Sequence, residues 1–326
     1  MQCDTPIYDD FVKEFLATKA APDCQPSIKI ARKFCSTWPV PGSLIEAGKS
    51  AASKQDTVQV AVMDSSFNPP HYCHGAYLEC LGTQQLTPVL PADEKEPPQL
   101  LGMDAFLLLL GSTNADKRLT GSSLGQRMRM VDMLATTVAC DTTADTWHVW
   151  KEKKAFDASN LDNMAIGMVN CSRFVDKCQA VAETVQAEWA RTCGSNKGGD
   201  VVDDKLSVAR PRVLSYFAMG WDTLIRFFDP KYYKNFPADV DLFFERGGRI
   251  AFSRRIGFAD ADVGAFFAQP VMETYKQFIF ELTLPKRVKH ISSTQVRLAV
   301  RDSTECVRDI PPRILEYVNN YQLYRK

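Results

Sequence analysis

Val58-Gln59-Val60-Ala61-Val62-Met63-Asp64-Ser65-Ser66-Phe67-Asn68-Pro69-Pro70-His71-Tyr72-Cys73-His74 joins an apolar run to a proline-stiffened turn and a pair of histidines. Its apolar start, Val58–Met63, has the length and valine content of a strand buried on both faces. The next residues are small, so backbone N–H groups at Ser65 and Ser66 can approach a phosphate without obstruction. Pro69 and Pro70 stiffen the turn and set the approach to a following helix. His71 and His74, three apart, would share one face at that helix's start, where unpaired amides and the helix dipole favour an anion. Two imidazoles there can donate hydrogen bonds to oxygens that gain charge during group transfer. A zinc site is the competing use of such a pair, but no H-E-x-x-H and no third ligand stands nearby.

Outward from this stretch, short apolar runs alternate with helical patterns. Strands are expected at Val58–Met63, Ala105–Leu110, Ala165–Val169, Val213–Met219, Ile250–Phe252 and Phe278–Leu282. Helices are expected at His74–Leu81, Leu124–Leu134, Arg173–Arg191, Thr294–Val300 and Arg313–Asn319. Such alternation predicts an α/β fold, Rossmann-like and doubly wound, with a mainly parallel sheet and flanking helices. Residues 1–54 read as an N-terminal helical extension: Phe11, Val12, Phe15 and Leu16 recur at helical spacing, and Ile28, Ile30, Ala31 and Phe34 suggest a second helix. Residues 55–326 form the main domain, with insertions near 140–163 and 194–210, and no internal repeat is visible.

The bulk properties narrow the class. Across 326 residues, 45% are hydrophobic and 24% charged, as in a soluble globular protein. Lys+Arg and Asp+Glu balance at 39 each, so no overall field draws the chain to nucleic acid or an anionic membrane. A phosphorylated ligand must instead meet a local cluster of donors. The ten cysteines show no C-x-x-C pair or metal spacing, which points to free thiols in a reducing compartment. Met1 to Leu16 is acidic and lacks a signal-peptide core, and the apolar run Ala105–Leu110 is too short to cross a bilayer. The expected location is cytoplasmic, nuclear or both.

A second segment, Ile291-Ser292-Ser293-Thr294-Gln295-Val296-Arg297, follows the last expected strand and opens a helix. Ser and Thr are good N-caps, and first-turn amides have no partner within the helix. Arg297, one turn on, adds a charged donor to the same side. A plain N-cap would explain the serines equally well, but Lys286, Arg287, Lys289 and His290 make the neighbourhood basic.

Taken together, the two segments resemble the nicotinamide-nucleotide adenylyltransferase family, within the nucleotidyltransferases that carry an H/T-x-G-H and an I-S-S-T-x-x-R signature. The Asn68-Pro69 form looks like the eukaryotic enzymes, and the resemblance spans about residues 57–305. Under it, Gly111-Ser112-Thr113-Asn114-Ala115-Asp116-Lys117 is similar to the family's loop whose lysine, here Lys117, reaches the phosphates. Gly220-Trp221-Asp222 resembles the G-x-D whose backbone and carboxylate hold a ribose. Arg255, with Arg254 beside it, resembles the R-x-G near the phosphates, and Trp221 is a candidate to stack on the mononucleotide, with core packing as the alternative. Two positions depart from the pattern: Ser65 stands where the family has glycine, and Cys73 precedes the second histidine. These suggest a divergent, fungal-type branch.

The resemblance implies transfer of AMP from ATP to nicotinamide mononucleotide, giving NAD and pyrophosphate. His71, His74 and Arg297 would be catalytic. Ser65, Ser66, Phe67, His74, Lys117, Gly220, Asp222, Arg255, Ser293, Thr294, Gln295, Val296 and Arg297 would bind ATP or NAD. Mg²⁺ would be held through substrate phosphates rather than by a protein metal site. The expected partners are ATP and the mononucleotide, with neither nucleic acid nor membrane. Two alternatives stay open: an ATP-binding regulatory or interaction protein of the same fold with weak or no transferase activity, and a transferase acting on another phosphorylated acceptor.

Overall fold

Val58, Val60, Ala61 and Val62 are fully buried at the centre of β2 (Thr57–Ser65). In the computed structural model this strand lies between two parallel neighbours, β4 (Ala105–Gly111) and β6 (Arg212–Gly220). The structure describes residues 5–19, 24–47, 56–83, 87–89, 102–112, 121–140, 161–194, 210–254, 260–302 and 308–325. With β1 (Ile28–Lys33), β3 (Thr87–Pro88), β5 (Met164–Val169), β7 (Gly248–Ser253) and β8 (Ile279–Glu281), these form one eight-stranded sheet ordered β1-β5-β4-β2-β6-β7-β8-β3. Pairing is parallel from β5 through to β8 and antiparallel at the two edges.

Counted from β2, the six parallel strands run 3-2-1-4-5-6 across the sheet, the order of a doubly wound Rossmann-type fold. Helices cover both faces, which is why the parallel strands are apolar throughout rather than alternating. One apolar layer gathers α1 (Thr5–Lys19), α3 (Tyr72–Thr83), α4 (Leu124–Cys140), α9 (Ser293–Asp302) and α10 (Pro312–Asn320). The other gathers α5 (Phe174–Gly194), α6 (Trp221–Phe227), α7 (Ala238–Glu245) and α8 (Asp260–Phe267); α2 (Gly42–Glu46) is a short turn of helix before β2. Among the described residues no helix is long and apolar enough to cross a membrane.

After residue 54 the predicted strands and helices are all present, with shifts at their ends. The N-terminal segment differs in one respect. Phe15 and Val12 do bury one face of α1, but residues 28–33 form a strand instead of a second helix. The β-branched pair Ile28 and Ile30 fits a strand's period of two as well as a helix pattern, and the open edge of β5 decides between them. Ile30 lies opposite Gly167, where a Cβ would come within 2.9 Å of the Lys29 carbonyl oxygen, so the glycine admits the added strand. The expected insertions, 140–163 and 194–210, fall mostly outside the described residues.

The turn into β7 depends on Gly247, whose φ of +89° lies in the left-handed region. A Cβ there would sit 2.2 Å from the Val213 carbonyl oxygen. Gly247→Ala is therefore expected to destabilise the fold by about 2–4 kcal/mol. A urea titration should show this as a lowered midpoint; an unchanged midpoint would contradict the strained turn.

Candidate functional site

The chain leaves β2 towards β4 on one side of the sheet and later returns to β6 on the other. Between β2 and β6 the winding reverses, and ligands of such sheets bind in the crevice outside the strand carboxyl ends at that reversal. The segment Ser65–His74 follows β2 there, and Gly220-Trp221-Asp222 follows β6. Tyr77, three residues after His74 on α3, fixes this helix over the crevice. Its hydroxyl donates to the Met219 carbonyl at 3.1 Å and also hydrogen-bonds Ser253 at the end of β7.

α3 begins at Tyr72, so His71 occupies the N-cap position and its carbonyl accepts the His74 N–H at 3.0 Å. In return, His74 Nδ1 accepts the His71 backbone N–H at 3.1 Å. This is the reciprocal logic of a capping box, with imidazole in the place usually held by Glu or Gln. An amide N–H can only donate, so in the neutral ring the proton belongs on Nε2. Nε2 lies 3.2 Å from Ser65 Oγ, which also accepts the Phe67 N–H at 3.4 Å. The two imidazoles stack at 3.8 Å, both at least nine-tenths buried, and the buried Phe67 ring leans on His74 at 5.0 Å. Phe67 itself has a φ of 43°, a strained value for an aromatic residue and one that turns the loop away from the strand.

The second segment meets this turn directly. Ser293 Oγ donates to the Pro69 carbonyl at 2.9 Å. Arg297 Nη1 donates to the Asn68 carbonyl at 2.6 Å, and its Nη2 to Thr294 Oγ1 at 3.1 Å. Ser292 is the N-cap of α9: its Oγ accepts the Gln295 N–H at 3.3 Å and donates to Gln295 Oε1 at 2.9 Å. Thus the N-cap reading holds for Ser292, while Ser293 and Arg297 do a different job. The first-turn amides of Ser293 and Thr294 come before any intrahelical acceptor. Val296 is corrected as a binding candidate: its side chain is fully buried, and its N–H donates to the Ser292 carbonyl within the helix.

Gly220 caps α6 with an extended backbone, and Asp222 lies half-buried in the first turn without acting as the cap. Trp221 is 1% exposed and packed against Phe252, Phe266 and Phe267 at 5.2–6.0 Å. Its indole belongs to the core, so the stacking role is replaced by the packing alternative. Lys117 and Arg255 lie outside the described residues, and Arg254 is paired with Glu281 at 2.6 Å. Ser66 is half-buried, with its carbonyl 3.5 Å from Arg127 Nη1. Among the described residues no group of three or more His, Cys, Asp or Glu side chains could hold a metal ion.

Sequence reasoning missed the far side of the turn. Asn68 Oδ1 accepts from Ser122 Oγ at 2.8 Å and from Tyr324 at 2.9 Å. Arg127, 1% exposed, donates through Nε to both the carbonyl and the hydroxyl of Ser122 at 3.2 Å. Burial lowers its pKa, the Tyr324 oxygen opposes that, and the positive charge of Arg297 adds to it. The Asp64–Lys177 ion pair, mostly buried at the end of β2, also lacked any local signal. These partners come from distant parts of the chain, so no motif spacing could have revealed them.

The chain is similar over most of its length to a Schizosaccharomyces pombe protein named "Putative nicotinamide mononucleotide adenylyltransferase". The two are 27% identical over 282 residues, 82% of this chain and 86% of that protein. The resemblance drawn from the two motifs therefore extends well beyond them. No protein-family model matches the chain. Among solved structures, Plasmodium falciparum nicotinic acid mononucleotide adenylyltransferase complexed with NaAD aligns with a TM-score of 0.48 at 14% identity, covering 82% of this chain and 97% of that one. The same enzyme complexed with APC aligns at 0.46 and 13%, with the same coverage.

Because Trp221 is core, Trp221→Ala should lower stability by about 3–5 kcal/mol, the usual loss for a deleted buried aromatic. Urea unfolding measures it. Stability within about 1 kcal/mol of the parent would return the residue to the ligand site.

Proposed function

We propose that this protein is a nucleotidyltransferase that joins the AMP part of ATP to the 5′-phosphate of nicotinamide mononucleotide, forming NAD and pyrophosphate. The observation that carries the reading is the joining of two helix starts through one turn. Ser293 and Arg297 of α9 hold the Pro69 and Asn68 carbonyls, while His74 of α3 meets Ser65 at the start of the same turn, at the winding reversal of the sheet. The S. pombe relative supports the choice of reaction.

A phosphate monoester is already a competent nucleophile at neutral pH. Its attack on the α-phosphorus, in line with the departing pyrophosphate, needs no general base from the protein. Catalysis is then positioning plus stabilisation of charge on the phosphoryl oxygens. His74 Nε2–H would donate to such an oxygen, with the buried His71 ring stacked on it. Thr294, the α9 amides and Arg297 would hold the β- and γ-phosphates; a guanidinium carries five N–H donors, enough to keep the turn and take a phosphate. Asp222, just past the carboxyl end of β6, would accept from ribose hydroxyls. The donors here are cationic or neutral, which fits phosphate oxygens and not a bare cation. Mg²⁺ would arrive on the phosphates of ATP and offset their charge. Nicotinic acid mononucleotide is the natural competing acceptor. The free thiols of Cys24, Cys35, Cys73, Cys80, Cys171, Cys178 and Cys193 would suit the reducing conditions of cytosol or nucleus.

One observation favours a second reading, an ATP-binding protein of the same fold with little transferase activity. Ser65 Oγ occupies the point where His74 Nε2–H and the Phe67 N–H would meet a phosphate oxygen.

Purified protein with ATP, Mg²⁺ and each mononucleotide should yield NAD or its acid analogue, with pyrophosphate released in equal amount. His74→Ala should cut turnover by roughly ten- to thousandfold, as when a transition-state donor is removed. Near-normal turnover in that variant would sink the role given to His74. ATP binding without dinucleotide from either acceptor would favour the second reading.

A further inference from the structure

Residues 321–324 leave α10 in a turn that sends the chain back towards the sheet. Leu323 N–H donates to the Val318 carbonyl at 2.9 Å, and both Gln322 and Tyr324 have positive φ, 51° and 65°. Leu323 and Tyr324 are buried in the same apolar layer as Phe67. The Tyr324 ring rests on Gly121, which has a φ of +91°; a Cβ there would lie 2.9 Å from the ring. A seat that only glycine can provide thus receives the tyrosine.

From this seat the Tyr324 hydroxyl donates to Asn68 Oδ1 at 2.9 Å and lies 3.0 Å from Ser122 Oγ, which donates to the same oxygen. Asn68 is also the residue whose carbonyl holds Arg297. Its side chain is therefore gripped from the tail while its main chain orients the guanidinium expected at the phosphates. We propose that Tyr324 is a positioning residue for the nucleotide site, acting through Asn68 to hold the Ser66–Pro69 turn and Arg297 in a phosphate-binding arrangement. This rests on the nucleotide reading of the site given above.

Two features separate this role from simple anchoring of the tail. Packing alone would need the ring and not the hydroxyl, yet the hydroxyl is spent on a turn residue 256 positions away. Burial pushes the Tyr324 hydroxyl up to about 12, with Ser122 and the charges of Arg127 and Arg297 opposing the shift. The group stays a neutral donor across the ordinary pH range.

The test is the affinity for Mg-ATP, measured by calorimetry well below the melting temperature, for the parent, Tyr324→Phe, Asn68→Ala and the double variant. Tyr324→Phe keeps the ring and removes one donor, and should weaken binding roughly three- to tenfold, the span of one lost hydrogen bond. In the Asn68→Ala background the same change should add nothing, since its partner is already gone. An unchanged affinity in Tyr324→Phe, or effects that multiply in the double variant, would overturn the proposal. A tail anchor alone would lower the melting temperature and leave ATP affinity intact. If Tyr324→Phe does not fold, Ser122→Ala removes the other donor to the same oxygen and must show the same dependence on Asn68. The readout separates the two claims: a parent that binds Mg-ATP but makes no dinucleotide defeats the transferase reading and leaves the positioning test valid. A parent that does not bind Mg-ATP defeats both.

Discussion

A turn that buries its own polar backbone must find donors elsewhere, and Ser66–Pro69 is such a turn. Phe67 at φ 43° swings the chain off β2, which leaves the carbonyls of Ser66, Asn68 and Pro69 without strand partners. A buried carbonyl without a donor costs about 1–3 kcal/mol, so each of these needs one. Arg127 from α4 and Arg297 and Ser293 from α9 meet the need, while Ser122 and Tyr324 satisfy the Asn68 side-chain oxygen. The packing of α4, α9 and the tail over one face of the sheet thus converges on four residues. The site and this half of the fold depend on the same hydrogen bonds.

The arrangement has an electrostatic consequence. Two guanidiniums reach one turn from different sides, one of them almost wholly buried, and the charge of Arg297 adds to the burial that lowers the Arg127 pKa. Backbone carbonyls offset part of that cost, but they carry only partial charge. An anion beside the turn would offset the rest. In a chain with no net charge, a local excess of fixed positive donors is what would favour a polyphosphate at this turn.

How much of this was legible follows from where each signal lies. The central strands were readable because burial on both faces leaves unbroken apolar runs such as Phe106–Leu110. The strand at residues 28–33 was not, because Ile28, Ile30, Ala31 and Phe34 satisfy two periodicities and only the edge of β5 chooses. The helices α6, α7 and α8 were missed because they are short and rich in aromatics, as in Trp221, Phe243, Phe244 and Phe266; they are held by ring packing against the sheet rather than by helix propensity. At the site, His71, His74, Ser293 and Arg297 announced themselves by local spacing. Ser122 and Tyr324 did not, being 54 and 256 positions from the oxygen they share. Trp221 stayed open between stacking and core packing because adjacency to a ligand motif says nothing about which way a ring packs.

The serine at position 65 gains a clearer meaning from the same geometry. Its hydroxyl oxygen accepts from two donors, His74 Nε2–H and the Phe67 N–H, and this satisfies both in the buried turn. A hydroxyl has a proton of its own and can rotate it towards a third group. An incoming phosphate oxygen can therefore either replace Ser65 Oγ on the imidazole, gaining a charge-assisted bond, or accept from the serine while the imidazole stays where it is. The first course gives His74 direct contact with the charge that develops in transfer. The second leaves the histidine behind a neutral relay, away from the charge that develops in transfer. Glycine at this position would permit only the first, so on the proposed reading Ser65 is where holding the nucleotide and transforming it would part.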